Sequence, residues 1–281
     1  MKVEVDDVGR GALVFPEPER TGSEVDVDRP NSARMYDYYL GGSTNFAVDR
    51  EAAEAGLTAM PYARDYAVAN RAFLRRAVSY LVRQGIDQFV DLGSGIPTKG
   101  NVHEIAHQHN PQARIAYVDH EPVAVAHARA LLGENPMVSI DEADIRDPEA
   151  VLSANGVAKL DFGRPVAVLA VAILPFVPDQ AEATALTATY RDACAPGSYL
   201  AVTHISQFAA TDEQVAAAEE VMARTPTPVR WRPPEEIAEL LDGYELVPPG
   251  LVPTPSWHPD QQPSADDIAR ANAYAAVGHR V

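Results

Sequence analysis

The sequence predicts an α/β fold, in which a mostly parallel, seven-stranded sheet carries helices on both faces and an N-terminal helical cap. Three observations support this prediction. From residue 86 onward, short apolar segments alternate with amphipathic ones, as in successive βαβ units. The apolar segment 166–174 is nearly continuous, as expected of a central parallel strand covered on both faces. Only a short helical segment separates the last two strand segments, which favours an antiparallel hairpin at one sheet edge.

Two helices are predicted before the sheet. The first covers 31–40 and ends at a pair of glycines, which commonly terminate helices. The second covers 65–84 and carries an apolar face at helical spacing, so it must pack on the sheet. Residues 1–25 have few groups that folding could bury, so we expect them to form a mobile tail. The expected units are the tail (1–25), the N-terminal helical cap (26–85) and the sheet domain (86–281).

The elements of the sheet domain follow in regular order. The predicted strands are 88–92, 113–119, 138–143, 165–174, 198–204, about 244–252 and about 272–280. The predicted helices are 98–109, 122–132, 148–154, 179–194, 212–224 and 234–242.

A glycine-rich turn follows the first predicted strand, which ends near Asp91. Gly93, Ser94 and Gly95 form a Gly-x-Gly turn in which the chain can bend sharply and a ligand can approach the backbone, at the start of a helix with unpaired N–H groups. A dinucleotide site would have a third glycine where Thr98 stands, and Asp91 would repel its pyrophosphate. S-adenosylmethionine carries an ammonium and a sulfonium, so an acid there suits it. A purely structural turn is the alternative.

Acids also close the next two predicted strands. Asp119 ends the second strand, where a ribose-binding carboxylate is expected, and it can accept both ribose hydroxyls. Asp144 follows the third strand and could accept the adenine amino group, while Ile145 packs against the ring. Each acid alone could be a solvated strand end. Three acids at one edge indicate a ligand site, because open parallel sheets bind ligands at the C-terminal ends of their strands.

Composition limits the possible partners. The chain has 281 residues, enough for one large domain or a domain with an appendage, and a net charge of −17. This charge argues against binding to nucleic acids or anionic membranes, whose phosphates would repel it. The single cysteine, Cys194, excludes an internal disulfide, and no Cys/His cluster has zinc spacing, so we expect no metal. The charged N-terminus and the lack of a long apolar run predict a cytoplasmic protein without a membrane partner.

Beyond these patterns, the chain resembles the class I S-adenosylmethionine-dependent methyltransferases, and more narrowly an actinobacterial family long catalogued as a domain of unknown function. The resemblance covers roughly residues 26 to 281 and implies a Rossmann-like fold and S-adenosylmethionine as the cofactor, but no particular substrate. In one departure, Pro97 replaces a glycine often found in the class; proline suits the first turn of a helix. The segments that carry the resemblance are 28–42, 45–50, 70–76, 91–98, 117–119, 143–148 and 176–179.

The segment from Arg34 to Gly42 has two interpretations. It can be a capping helix whose tyrosines simply pack, or it can be a lid over the cofactor. In a lid, Tyr36 or Tyr39 would lie over the sulfonium, since aromatic faces attract cations. Arg34 or Arg71 would then bind the methionine carboxylate through paired contacts, with Gly41 and Gly42 as the hinge. The expected cofactor-binding residues are Arg34, Tyr36, Tyr39, Gly42, Arg71, Asp91, Gly93, Ser94, Gly95, Asp119, His120, Asp144, Ile145 and Ala172.

Few residues of the sequence can be assigned to the chemical step itself. Methyl transfer from a sulfonium is an in-line displacement, so alignment in a dry pocket can supply much of the rate without a fixed catalytic residue. His204, after the fifth strand, is the predicted general base if the nucleophile must lose a proton; the alternative is a hydrogen-bonded strand-end histidine. For Trp231 and Trp257 we favour anchoring of the C-terminal strands over lining a substrate cavity.

Three functions remain open from the sequence. The first is a methyltransferase acting on a small uncharged or cationic metabolite. The second is an NAD-dependent oxidoreductase, which Asp91 and Thr98 disfavour. The third is a non-catalytic S-adenosylmethionine-binding protein that regulates or assembles with a partner. Sequence does not separate the first from the third, and it leaves the oligomeric state open.

Overall fold

The computed structural model describes residues 26–97, 100–133 and 135–281. The segment predicted as a mobile tail, residues 1–25, lies outside the described residues. The helices are α1 (Ser32–Tyr39), α2 (Ala47–Ala59), α3 (Ala63–Arg83), α4 (Val102–His109), α5 (Pro122–Leu132), α6 (Pro148–Ser153), α7 (Gln180–Ala193), α8 (Asp212–Met222), α9 (Pro234–Glu239) and α10 (Ala265–Ala271). The strands are β1 (Gln88–Leu92), β2 (Arg114–Asp119), β3 (Val138–Glu142), β4 (Ala167–Val171), β5 (Tyr199–Ile205), β6 (Glu245–Leu246), β7 (Val252–Pro253) and β8 (Ala273–His279). In this described part of the chain, none of the helices combines the length and apolar character needed to cross a membrane.

The strands form one sheet in the order β3-β2-β1-β4-β5-β8-β6, with the short β7 paired to β8. Neighbours from β3 to β5 are parallel, whereas β8 runs antiparallel to β5 and β6. The predicted fold is therefore confirmed, and β7 adds one short strand. Because β8 runs against β5, Ile205 at the end of β5 lies opposite Ala273 at the start of β8. The start of β8 thus shares an edge with the C-terminal ends of the parallel strands.

Alternate residues of the central strands supply a core on each face of the sheet. In β1, Val90 and Leu92 pack in the cluster that also holds residues of α6 and α7, whereas Phe89 packs in the cluster of α3 and α4. Helix α3 buries Phe73 and Leu81 in the second cluster, which confirms that the amphipathic segment 65–84 packs on the sheet.

The structure adds one helix that was not predicted and corrects three predicted elements. Helix α2 was not predicted, because its buried positions carry small or polar side chains and form no large apolar face. Strand β4 ends at Val171 instead of 174, since Ala172 has a φ of +58° and Leu174–Phe176 forms a 3₁₀ turn. Helix α4 begins at Val102 rather than 98. The predicted strand 244–252 is divided into β6 and β7.

Helices α1, α2 and α8 form a third, smaller cluster at the sheet edge, which we call the outer layer. Met35 of α1, Ala53 of α2 and Val221 of α8 are buried against one another there. Helix α8 joins the N-terminal helices although it follows β5 in the chain. The expected division of the chain at residue 85 stays a prediction.

A buried arginine attaches the outer layer to the sheet. The guanidinium of Arg34 is 1% exposed; its Nε lies 2.8 Å from Oδ2 of Asp49, and one terminal nitrogen lies 3.0 Å from Oε1 of Glu121. The other terminal nitrogen donates to the carbonyls of Asp26 and Arg29. Because Asp49 belongs to α2 and Glu121 follows β2, the arginine joins two helices of the outer layer to the C-terminal end of a strand.

We expect Arg34→Ala to lower the free energy of unfolding by roughly 3 to 5 kcal/mol, because it leaves two buried carboxylates without their cation. Urea titration of the wild type and the variant measures this loss. Arg64→Ala is the matched control, since Arg64 pairs with Glu54 at 3.7 Å and both side chains are about half exposed. The control should change stability by less than about 1 kcal/mol. Equal losses for the two variants would contradict the anchoring role of Arg34.

Candidate active site

A cavity of about 210 Å³ lies between the outer layer and the sheet edge where β1, β2, β4 and β5 end and β8 begins. Its lining divides into two halves because β2 and β1 lie at one end of this edge and β5 and β8 at the other. The charged half comprises Arg71, Asp91, the 93–95 turn, Asp119 and His120. The apolar half comprises Met60, Ala63, Ile205, Ala218, Val221, Met222, Trp231 and Asn272.

The two glycines of the turn are required for different structural reasons. Gly93 and Gly95 both have a φ of +66°, a conformation that side chains rarely adopt. A Cβ at Gly93 would approach the Ile173 side chain to 2.3 Å, so this position needs glycine for packing as well. A Cβ at Gly95 would meet nothing within 4 Å. The backbone of Gly95 is therefore accessible to a ligand, as the predicted cofactor turn requires.

Asp119 holds the turn in place. It is 4% exposed; its Oδ2 accepts the N–H of Gly95 at 2.7 Å, and its Oδ1 accepts the N–H of Glu121 at 2.8 Å. Burial raises the pKa of Asp119, while the two backbone N–H groups oppose the rise. Each carboxylate oxygen can accept more than one hydrogen bond, so both keep an acceptor position for a ligand.

Asp91 is a second acid of the cavity whose pKa is raised. Burial raises the pKa of its carboxyl to about 7, with the Arg71 guanidinium lowering it and the nearby Asp119 raising it further. Arg71 itself donates to the carbonyl of Gly100 at 2.8 Å. A buried carboxyl that titrates near neutrality favours binding of a cation, because a positive charge beside it stabilises the carboxylate.

Three tyrosines, Tyr36, Tyr39 and Tyr66, also line the cavity. The hydroxyl of Tyr36 donates to the carbonyl of Ala67 at 3.1 Å. Burial raises the pKa of Tyr36 and of Tyr66, and that of Tyr39 to about 12. These hydroxyls therefore stay protonated near neutral pH, and the rings offer aromatic faces rather than bases.

Most predicted cofactor residues line this cavity, but four do not. The guanidinium of Arg34 is already bound to two buried carboxylates and two backbone carbonyls. Gly42 is needed for packing, because the Asp37 side chain lies where a Cβ would be. Asp144 pairs with Arg146, and Ile145 is buried in the sheet core. The predicted residues in the lining are Tyr36, Tyr39, Arg71, Asp91, Gly93, Ser94, Gly95, Asp119, His120 and Ala172.

The prediction that His204 is a general base is wrong. The side chain is fully buried and does not line the cavity, whereas its neighbour Ile205 does. Its Nδ1 lies 2.8 Å from the Ile205 carbonyl, and its Nε2 lies 2.8 Å from a guanidinium nitrogen of Arg232. Burial lowers the pKa of His204 to about 3, so the ring is neutral with Nδ1–H donating to the carbonyl and Nε2 accepting from the arginine. No lone pair remains for a substrate proton.

Sequence reasoning missed two polar residues of the apolar half. Trp231, which we expected to anchor a strand, lines the cavity, whereas Trp257 is fully buried beside Phe73 and is the anchor. Asn272 precedes β8 with a φ of +41°, and only the antiparallel course of β8 brings it to the cavity. An asparagine at a strand start carries no sequence signal for ligand binding, because the same residue type commonly adopts this conformation in turns. Among the described residues, no group of three or more His, Cys, Asp or Glu side chains is arranged to hold a metal.

Comparisons with known proteins agree with this geometry. The family model described as S-adenosyl methyltransferase matches residues 18–281. A crystal structure of a candidate methyltransferase from Thermobifida fusca YX shares 37% identity at a TM-score of 0.84, over 90% of this chain and 97% of that one. A DUF574 family protein from Streptomyces avermitilis MA-4680 shares 35% identity at a TM-score of 0.85, over 92% of this chain and 100% of that one. The curated proteins contain no match.

The family predicted from the sequence motifs is thereby confirmed, together with S-adenosylmethionine as its cofactor. The alternative of an NAD-dependent oxidoreductase loses its support.

We expect the affinity for S-adenosylhomocysteine to fall as the pH drops below about 7, with a slope that approaches tenfold per pH unit. The ammonium group of this ligand favours ionised Asp91, so binding at these pH values must release the Asp91 proton. Between about pH 7 and 7.5 the slope should decrease, since half or more of the Asp91 carboxyl is then ionised before the ligand binds. Titration calorimetry from about pH 5.5 to 7.5 measures the slope and the proton release. Asp91→Asn should bind more weakly at pH 7.5 and lose the slope. A slope that persists in this variant would assign the titration to another group.

Proposed function

The chain belongs to the S-adenosyl methyltransferase family, and we propose that it transfers the methyl group of S-adenosylmethionine to a small molecule bound in the apolar half of the cavity. The chain's net charge of −17 supports a small-molecule acceptor over a nucleic acid, whose phosphates it would repel. A cytoplasmic location stays a prediction from the sequence.

The observation that carries the proposal is that one cavity contains both halves. The charged half offers Asp91, Asp119 and Arg71, which suit a ligand carrying an ammonium, a ribose and a carboxylate. The apolar half continues from it along the sheet edge without an acid or base of its own among its described residues. A second molecule in the apolar half would therefore lie in the same cavity as the first.

Each cofactor-binding residue has a proposed role. Asp119 accepts the two ribose hydroxyls through the acceptor positions that Gly95 and Glu121 leave available. Asp91 pairs with the ammonium group. Arg71 binds the methionine carboxylate, because Arg34, the other arginine considered for this role, is already held in buried ion pairs. Tyr36 and Tyr39 present their rings beside the sulfonium from α1.

The chain's part in the chemistry is alignment and exclusion of water. Bound in the charged half, S-adenosylmethionine would supply the methyl group: its bond to sulfur would break with the electron pair staying on sulfur, the acceptor's lone pair would form the new bond, and any acceptor proton would be released to solvent as the product leaves. The apolar half would hold the acceptor in line with the methyl group, and in-line positioning can supply much of the rate. His204 Nε2 accepts a hydrogen bond from Arg232, and burial keeps the cavity tyrosines protonated, so none of these residues can act as a base. We therefore propose alignment as the source of catalysis.

We expect Asp119→Ala to weaken S-adenosylmethionine binding by roughly 2 to 4 kcal/mol, on the order of 30-fold to 1,000-fold in dissociation constant, because two charge-assisted hydrogen bonds and the support of the turn are lost. Titration calorimetry with S-adenosylmethionine, and with NAD as a control ligand, tests this. Asp144→Ala is the matched control, since Asp144 lies outside the lining and pairs with Arg146. An equal loss in the control would refute the assigned roles, and tight binding of NAD alone would refute the cofactor site.

A second expectation concerns α1 as a lid. Its residues Tyr36 and Tyr39 line the cavity, and Gly41 follows with a φ of +78° and open space around it, as a hinge requires. Amide hydrogen exchange over about residues 31–46 should slow when S-adenosylhomocysteine binds, because contacts of the ligand with Tyr36 and Tyr39 would hold the last turn of α1 and the glycine turn in place beyond the part that Arg34 already anchors. Exchange in α7, none of whose residues lines the cavity, is the internal control. Unchanged exchange of 31–46 at saturating ligand would reduce α1 to a packing helix.

A further inference from the structure

The apolar half of the cavity contains two polar groups that have no partner. Its other walls are mainly apolar and include the soft thioethers of Met60 and Met222. The hydroxyls of Ser32 and Thr227, which also line the cavity, lie 3.3 Å apart and pair with each other. The charged side chains of the described lining, Arg71, Asp91, Asp119 and His120, all lie in the other half. Unpaired polar groups in such surroundings are costly, so their positions indicate what a ligand would supply.

The first group is the side chain of Asn272. It is 1% exposed, its Oδ1 has no hydrogen-bond partner, and its Nδ2 lies 3.9 Å from the sulfur of Met60. The backbone is held, since the Asn272 carbonyl accepts the N–H of Ser206 at 2.9 Å. An unpaired buried acceptor costs about 1 to 3 kcal/mol, and a ligand O–H or N–H would remove that cost.

The second group is the indole N–H of Trp231, which is buried without an acceptor. Its neighbours hold the segment rigidly: the Arg230 N–H donates to the Pro175 carbonyl at 2.9 Å, and the Arg232 guanidinium donates to His204 and to the Val177 carbonyl. The indole is therefore fixed in the cavity wall and can donate to a ligand acceptor.

We propose that the methyl acceptor is a neutral, mainly apolar ring molecule, of phenol or indole type, whose O–H or N–H donates to Oδ1 of Asn272 while an acceptor atom of the molecule receives the N–H of Trp231. The inference rests on the proposed function and narrows its substrate class. A charged acceptor is disfavoured, because the apolar half would strip its hydration without a counter-ion. The two methionines and the indole favour a flat ring, since sulfur and aromatic groups pack well on aromatic faces.

The test measures binding of four small probes to the wild type saturated with S-adenosylhomocysteine, by ligand-observed NMR. Phenol is neutral and has a donor, anisole lacks the donor, and benzoate and benzylammonium are charged. We expect millimolar binding of phenol, the scale for so small a molecule, and weaker binding of the other three. The comparison needs no variant, so it holds even if a substitution impairs folding.

Variants then locate the contacts. Asn272→Gly removes the amide while keeping a residue that tolerates a positive φ, and Trp231→Phe removes the N–H while keeping a ring. Each variant should weaken phenol binding about threefold to tenfold, and Asn272→Gly should leave anisole binding unchanged. Trp257→Phe is the matched control, because the indole N–H of Trp257 is also buried and unpaired but lies outside the cavity lining. It should leave phenol binding unchanged.

Several outcomes would overturn the inference: no binding of phenol by the wild type, equal binding of benzoate or benzylammonium, or phenol binding that neither cavity variant weakens. S-adenosylhomocysteine affinity is measured in every variant and should stay within about twofold of wild type, which shows that the charged half is intact. Failure of the wild type to bind S-adenosylhomocysteine would refute the proposed function instead. Phenol titrations without that ligand would still report on the apolar half.

Discussion

The buried guanidinium of Arg34 is the interaction on which the arrangement of the cavity depends. It binds Asp49 of α2 and Glu121 after β2, and Glu121 in turn donates its backbone N–H to Asp119. Asp119 then accepts the N–H of Gly95. One continuous set of hydrogen bonds thus runs from the outer layer through the end of β2 to the glycine turn. Buried ion pairs add little to stability compared with apolar packing, but they hold their elements in a defined position.

Several unfavourable features of the fold lie around the cavity. Asp91 is kept in surroundings that raise its pKa to about 7, and Ala172 and Asn272 adopt left-handed backbone conformations. The Asn272 amide oxygen is also buried without a partner. Each feature costs free energy that the two sheet cores must offset, and such strain commonly persists at functional sites. Ligands that supply a cation near Asp91 and a donor near Asn272 would relieve part of it.

The strand-end histidine shows how a chemically plausible residue can serve structure. His204 accepts a hydrogen bond from Arg232, whose guanidinium also donates to the carbonyls after β4 and to the side chain of Gln180. This buried cluster fixes the segment before α9, so that Trp231 faces the cavity. The histidine therefore contributes to the acceptor site through packing, and proton transfer is left to the acceptor and water.

The sequence by itself determined the sheet, the glycine turn, and the acids Asp91 and Asp119, because these depend on local periodicity and on the rule that parallel strands end at one edge. The alternation of apolar residues along strands could not reveal that the Arg34 guanidinium pairs with Asp49 and Glu121, because the three residues are separated in the chain and meet only in the folded structure. Likewise, β8 brings Asn272 to the cavity only through its antiparallel pairing with β5, and α8 completes the outer layer only by packing on α2. The cofactor half of the cavity thus follows from local sequence patterns. The acceptor half is decided by contacts between distant segments, whose partners are selected by packing in three dimensions.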